Sequence, residues 1–407
     1  MNAAAATLLI FLLVYAGMFA GRWPGLALDR TGFALLGAVA LLVFGLVTPG
    51  AAWGAIDVPT MLLLVGLMIV SGQLRLSGFY AHLAWRLSHS PLPPDRLLGL
   101  LILVSGVLSA VIGNDIICLA MAPVLIDGCA RRKLDPLPFL LGLACASNVG
   151  SAATLIGNPQ NILIGQALHM NFAGYLLDGG VPAALGLVAT WWLIRHQFAG
   201  QWERETALPE LASPAYHGGQ TAKGLLIVAG LMACFLFASW PRELACLAAV
   251  GLVLISRRTT THALLATVDW QLAVLFMGLF VVNHGLQAYG WLDYGLHQVR
   301  GAGIDLSRPG WSFGAAVVLS NLVSNVPAVM LLLPAAHDAS QGAGLALAST
   351  LAGNLVIVGS IANIIVVEQA RRLGVRISWG QHARTGVPVT LATLAIVGAW
   401  LGLRRLF

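Results

Sequence analysis

The chain has 407 residues, of which 58% are hydrophobic and only 9% charged, against about 25% charged in an ordinary soluble domain. Apolar stretches of spanning length recur from end to end, so the composition excludes a soluble protein and one polytopic membrane unit accounts for nearly all of it. The formal charge of +6 does not indicate nucleic acid, because the basic residues stand singly or in short runs between apolar stretches without aromatic interleaving, a membrane-flanking pattern.

In chain order, the apolar run from Ala3 to Ala20 has no basic segment before it and reads as a first spanning helix rather than a cleaved signal. Further spans are predicted over 32–48 and 60–76. An apolar pair follows, LLGLLILVSGVLSAVI and IICLAMAPVLI, separated by Gly113-Asn114-Asp115. A polar tip only three residues long between two apolar arms fits a re-entrant hairpin better than a surface loop. The next segment, 137–171, contains SNVGSAATLIGNPQNILIG from Ser147 to Gly165, with three Asn, three Gly and one Pro in otherwise apolar surroundings. Such a stretch cannot run as one helix, and we predict a break between Asn148 and Pro159. A span over 176–195 and a linker over 196–221 complete the first half. The second half gives 222–239, 242–257 and 270–286, then WSFGAAVVLSNLV and PAVMLLLPAA around Ser324-Asn325-Val326, a segment 343–371 broken around Gly359, and 384–403. The five cysteines, Cys118, Cys129, Cys145, Cys234 and Cys246, are odd in number and lack a CxxC pattern, which suits small buried thiols.

The halves repeat. Arg30, Asp57, Gly66, Leu74 and Gly78 fall opposite Arg242, Asp269, Gly278, Leu286 and Gly290 at a constant shift of 212. One residue less pairs Ser109, Asn114 and Pro123 with Ser320, Asn325 and Pro334, and a short deletion then sets Gly157 and Asn161 opposite Gly359 and Asn363. Five crossings per half make the second copy inverted. The expected organisation is an all-α polytopic membrane protein of two inverted five-helix repeats, 1–195 and 222–407, each with a re-entrant helical hairpin and a broken transmembrane helix, joined by a cytoplasmic linker, 196–221. Counting loops alternately, one face receives only Arg242, Arg300, Arg308, Arg404 and Arg405, and the other receives every remaining Lys and Arg. The positive-inside rule makes the basic face cytoplasmic and leaves both termini outside.

Broken backbone at bilayer depth persists only where protein covers it or where it lines a cavity, and its common use is a solute or ion site. The candidate binding residues are therefore Gly113, Asn114 and Asp115 at the first tip, Ser147, Asn148, Gly157, Asn158 and Asn161 at the first break, Ser324 and Asn325 at the second tip, and Asn354, Gly359, Ser360 and Asn363 at the second break. Half-helix ends supply free N–H and C=O groups, and Asn114 and Asn325 add an amide that serves either charge. Helix capping is the alternative role for these Asn. Asp115, opposite Val326, is a costly carboxylate at depth and reads as a coupling-ion site, with an N-cap as the alternative. Asp57 and Asp269 read as N-caps, Glu368 as an interfacial partner of Arg371 and Arg372, and His284 as a satisfied histidine.

These motifs resemble the ion transporter superfamily of permeases, which includes arsenite permeases, Na+/H+ antiporters and divalent anion/Na+ symporters; the resemblance covers nearly the whole chain. It implies a mobile transport unit of hairpins and broken helices on a scaffold that would also carry a homodimer contact. In the dicarboxylate symporters each tip reads Ser-Asn-Thr and helps to form sodium sites. Here the tips lack both Thr and one Ser, so Na+ at the Asn114 and Asn325 tips is the weaker expectation, and the Asp115 carboxylate looks more like the arsenite permease or antiporter branches. We expect a secondary transporter of a small inorganic or organic anion of the arsenite/oxyanion type in an inner membrane, coupled to H+ by alternating, elevator-like access. The alternatives are a Na+-coupled di- or tricarboxylate symporter and a Na+/H+ antiporter. No cofactor beyond the coupling ion is expected. A channel would need continuous polar stripes, and an intramembrane enzyme would need a nucleophile with a base or an HExxH motif; the sequence offers neither.

Overall fold

The computed structural model describes the chain except for Met1, residues 22–24, Leu26, residues 204–214 and residues 405–407. The described residues form α1 (Ala3–Ala20), α2 (Arg30–Val43), α3 (Pro49–Ala55), α4 (Val58–Leu76), α5 (Phe79–Ser88), α6 (Pro94–Ile112), α7 (Asn114–Arg131), α8 (Pro136–Ser151), α9 (Pro159–Ala167) and α10 (Phe172–Gln197). The second set is α11 (Gly218–Phe237), α12 (Arg242–Leu254), α13 (Thr261–Leu265), α14 (Trp270–Ala288), α15 (Trp291–Gly301), α16 (Pro309–Val323), α17 (Asn325–Leu332), α18 (Ala339–Ala352), α19 (Ile361–Arg372) and α20 (Trp379–Arg404). Each helix of the first set has a counterpart ten places later. Seven are long and apolar enough to cross a membrane, and α2, α8, α16 and the Asn325–Ala335 segment are shorter apolar helices.

Local chemistry fixes the matched starts. Asp57 accepts from Thr60 N at 3.0 Å and Asp269 from Leu272 N at 3.0 Å, so both are the N-caps expected from the sequence. Gly78 and Gly290, with φ of 77° and 73°, turn the chain from α4 into α5 and from α14 into α15. These short helices α5 and α15, with α3 and α13, were not resolved by apolar periodicity, which registers long spans best.

The halves are inverted in space. The α2 helix runs parallel to α14, since Thr31 donates to Gln271 O at 3.3 Å, Ala34 lies against Gly278 and Leu41 against Gly285. By contrast α4 is antiparallel to α14: Gly72, near its end, abuts Thr267, and Tyr289 beyond the end of α14 donates to Leu46 O at 3.2 Å. At one face Trp291 Nε1 donates to Ala4 O at 2.8 Å, beside the start of α1, whereas at the other Thr221 donates to Ser77 at 2.9 Å, beside the start of α11. The two first helices therefore begin at opposite faces. Of the intervening linker, 204–214, which includes Glu205, Pro209, Glu210 and Pro214, lies outside the described residues.

The α8 helix is buried along its whole length, and α18 nearly so. Around them, α1, α2, α10, α11, α12 and α20 expose Leu13, Leu36, Leu185, Leu226, Leu252 and Leu391 outward. An apolar outside around a partly polar centre is the arrangement a bilayer demands. The five cysteines are free thiols, four buried and Cys234 half-buried.

Close packing between halves uses matched glycines. A Cβ on Gly66 would lie 2.6 Å from Cys246 Sγ, and one on Gly278 would lie 2.9 Å from the Ala34 carbonyl. Ala34 and Cys246 are themselves repeat mates, so one contact is made twice. Gly278→Leu should therefore lower stability by about 2 kcal/mol through overpacking, while Gly251→Leu, where a Cβ meets open space, should change little. Thermal unfolding of the two variants in detergent, read beside the native chain, tests this.

Candidate transport site

Each hairpin turns on one residue with positive φ. Gly113 adopts φ 94°, ψ 136°, and Ser324 adopts φ 79°, ψ 162°. That region suits glycine, so Ser324 holds a conformation of the strained kind that persists where surrounding structure enforces it. Neither tip is capped by its own side chain. Asn114 and Asp115 are thereby free of the capping roles that were their alternatives.

The first break is shorter than the sequence suggests. The α8 helix continues through Ser147 and Asn148 to Ser151, and the non-helical stretch is 152–158, which corrects the expected start at Asn148. Asparagine disfavours a helix interior weakly, and here its side chain is satisfied across the molecule, so the helix need not end there. Asn158 caps α9 by accepting from Asn161 N at 2.9 Å, with Pro159 in the first turn where no N–H is needed. Ser360 caps α19, accepting from Ala362 N at 3.2 Å.

The tips and breaks converge on one buried polar network. Asn114 Nδ2 donates to Asn148 Oδ1 at 3.1 Å, and Ser360 Oγ donates to the same oxygen at 2.8 Å. Asn148 Nδ2 donates to Asn354 Oδ1 at 2.8 Å and to Asn363 Oδ1 at 3.1 Å. The repeat mate of Asn148 is Thr350, whose Oγ1 accepts from Asn158 and Gln160 at 3.1 Å each and donates to Asn161 Oδ1 at 3.3 Å. Each half thus places a polar residue near the end of its continuous helix against the broken segment of the other half. Asn161 is further fixed by donating to Thr154 O at 2.9 Å and to Tyr175 Oη at 3.1 Å, and Asn363 by donating to Gly353 O at 2.8 Å. With its amide nitrogen turned toward Gly359 O (3.2 Å) and Ser349 O (3.0 Å), Asn325 accepts from Gln160 at 3.2 Å. Ser147 lies one step aside, against Cys118 Sγ at 3.0 Å and Ala144 O at 2.9 Å. Gly157 packs on the Ser151 backbone, and Gly359 faces Asn321 and Gly353, closing the two bends.

A cavity of about 290 Å³ reaches this network from the face where α4 ends. Gly113, Asn114, Asp115 and Asn158 line its inner end, and Arg75, Thr267 and Asp269 its scaffold wall. Asp115 is half-buried and faces this space. A second cavity, about 390 Å³, is lined by Ala55, Phe280, His284 and Gln287, the last three on α14 or its end, and does not touch either tip. Ala55 and Phe280 are the repeat mates of Thr267 and Met68 in the first cavity. The two spaces are therefore related by the repeat, and only the first reaches a tip in this conformation.

The fourteen candidates are accordingly brought into one centre, with Ser147 at its margin. Sequence reasoning missed Thr350, Gln160, Tyr175 and Arg75. Thr350 was legible as the repeat mate of Asn148 once the shift of 202 defined by Gly157 and Gly359 is applied. Tyr175 carried no such signal, being supplied by the next helix, α10.

Two inverted halves whose broken helices share a buried polar centre, reached by a cavity from one face, define a membrane transporter rather than an enzyme. The sequence profile described as citrate transporter matches residues 9–348; the chain belongs to that family, within the ion transporter superfamily. The silicon efflux transporter LSI3 of Oryza sativa subsp. japonica is 29% identical, with 92% of each chain covered. The inner membrane protein YbiR of Escherichia coli (strain K12) is 30% identical, over 89% of this chain and 92% of the relative. The fold is similar to the crystal structure of the Alcanivorax borkumensis YdaH transporter, with a TM-score of 0.58 and 13% identity over 99% of this chain and 98% of that one.

Asn148→Ala should leave polar groups of Asn114, Asn354, Ser360 and Asn363 without their partner, lowering stability by about 2 to 3 kcal/mol and stopping transport. Thr350→Val keeps the shape but removes two acceptor contacts and one donor contact, and should show the same pattern at about half the stability cost. Melting temperature and solute flux measured on the same preparations check both.

Proposed function

We propose that the protein is a secondary transporter that exchanges a small inorganic oxyacid or its anion, of the arsenite or silicate kind, for protons across a bacterial-type inner membrane. The observation that carries this reading is the composition of the cavity. Its inner end offers the Asn114 and Asn158 amides, backbone N–H groups at the start of α7 and the Asp115 carboxylate, with the Thr267 hydroxyl on the opposite wall, while the side-chain cation among its described lining residues, Arg75, stands on the α4 wall. Neutral hydrogen-bonding groups suit a compact hydroxylated solute. A di- or tricarboxylate would bring two or three negative charges toward Asp115 and Asp269, which disfavours it, although the family description names citrate. The silicon efflux activity of the rice relative supports the choice of solute, and the E. coli relative supports the membrane.

Asp115 carries the coupling proton in this proposal. Its carboxylate meets the cavity without a helix-capping bond, so it can bind a proton when exposed to one side and release it on the other. In this reading the excess of Lys and Arg makes the face with Arg75 cytoplasmic and leaves both termini outside, and the present conformation is then open inward. The hairpins α6–α7 and α16–α17 re-enter from opposite faces. With α8–α9 and α18–α19 they form the moving unit, and α1, α2, α4, α11, α12 and α14 form the scaffold on which a homodimer would meet. The repeat boundaries, 1–195 and 222–407 around the linker, belong to the same proposal.

Asp115→Asn keeps shape and removes the exchangeable proton. It should retain solute binding and solute–solute exchange but lose accumulation driven by ΔpH alone. Proteoliposomes loaded for arsenite, silicate, phosphate, succinate and citrate flux, under ΔpH alone or ΔNa+ alone, test both parts. Unaltered proton-driven flux in the variant would remove Asp115 from coupling. Flux that follows ΔNa+ and carboxylates would replace the proposal by sodium symport.

A further inference from the structure

At the face opposite the open cavity, the scaffold grips the moving unit through three side chains. Arg242, the first residue of α12, donates through Nη2 to Gly165 O at 2.7 Å and to Gln166 Oε1 at 3.3 Å, both near the C-terminal end of α9. Gln166 Nε2 in turn donates to Glu243 Oε2 at 3.2 Å. A guanidinium at a helix N-terminus opposes that helix's own dipole. Its position is favourable here because it sits on the Gly165 carbonyl in the last turn of α9, where the dipole is negative. The contact borders a cavity of about 680 Å³ lined by Asp57, Gln166, His169, Trp240, Arg242 and Glu243.

The repeat supplies the same parts at the other face, and there they are apart. The mate of Arg242 is Arg30, the first residue of α2, and the mate of Gln166 is Glu368, near the end of α19. Arg30 donates instead to Met18 O at 3.3 Å, at the end of α1. Glu368 is held by Arg371 at 2.9 Å and Arg372 at 3.1 Å on its own helix. Such exposed pairs on one helix are weak and readily exchanged. That unlatched face is the one at which the cavity opens, since Ile365 of α19 and Arg75 at the end of α4 both line it.

We propose that Arg242, Gln166 and Glu243 form a latch that holds this conformation, and that Arg30 and Glu368 form the repeat-related latch that holds the opposite one. The proposal rests on the alternating-access reading above. One latch is made as the other is broken, so the pair sets the balance between the two states. It also accounts for why position 166 is neutral and position 368 acidic: Glu243 supplies the carboxylate on the scaffold side of the first latch, whereas its mate Thr31 cannot, and the second latch carries its acid on the moving helix.

The test uses Met68→Cys, on the α4 wall of the open cavity, as a reporter in the full-length chain, with the rate of modification by an aqueous maleimide corrected for the parent protein. Arg242→Ala should lower that rate roughly tenfold, the size expected for losing charge-assisted hydrogen bonds, because the opposite state gains population. Adding Glu368→Gln to that variant should restore the rate toward the parent's. Where Arg242→Ala fails to fold, Glu243→Gln and Gln166→Leu break the same latch and should each lower the rate. An unchanged rate in the latch variants, or a further fall on adding Glu368→Gln, overturns the proposal. The reporter needs no solute, so a response in a protein that moves no oxyacid keeps the latch and removes only the solute assignment.

Discussion

Everything at the centre of this molecule follows from the cost of leaving backbone and amide groups unpaired away from water. Two helices are interrupted at the depth of the apolar core, and two hairpins end there. Each interruption frees N–H and C=O groups whose desolvation without partners costs several times what a formed hydrogen bond returns. The structure meets that cost reciprocally. Asn148 of the first half satisfies Ser360 and Asn363 of the second, and Thr350 of the second satisfies Asn158 and Asn161 of the first. The break carbonyls are paired within each half, Thr154 O by Asn161 and Gly353 O by Asn363, and the side chains that pair them are held from the other half, so the centre is completed where the halves meet.

The same reciprocity organises the scaffold. Gly66 receives Cys246 and Gly278 receives Ala34, so each half's central helix is indented where the other's second helix crosses. In an apolar solvent there is little hydrophobic drive to bring helices together, and association depends on close packing and on small residues that permit it. Duplicated glycines therefore let the halves pack closely, and polar contacts such as Thr31–Gln271, Trp291–Ala4 and Thr221–Ser77 join them nearer the two faces. Where α4, α12 and α14 face α7, α9 and α17, by contrast, the contact runs along cavities and a few polar bonds.

The repeat departs from symmetry at single positions. Asp115 faces Val326 across the repeat, Gln166 faces Glu368, and Arg75 faces Gln287. Two perfectly equal halves would make inward and outward states equal in energy and would leave no distinct place for a coupling ion. Single side chains that differ between copies make the two halves chemically distinct at little cost to a fold both copies share.

The sequence by itself determined the membrane class, the long spans, the repeat and its inversion, because apolar length and a repeat shift of 212 residues that narrows to 211 and then 202 are properties of the chain that no folding alters. It also determined the polar tips and breaks, since Gly113-Asn114-Asp115 or Asn158-Pro159 cannot continue an apolar helix without penalty. Only the tertiary structure decided where the breaks begin, because Asn148 stays helical once Asn114, Ser360 and Asn363 satisfy its amide from outside its own helix. It alone decided that Tyr175 and Gln160 complete the centre, beside the Thr350 that its repeat mate Asn148 foretells, and that Arg75 and Asp269 share a cavity with Asp115. Those are contacts between separate elements, and local propensity carries no information about which partner will arrive to pair a buried group.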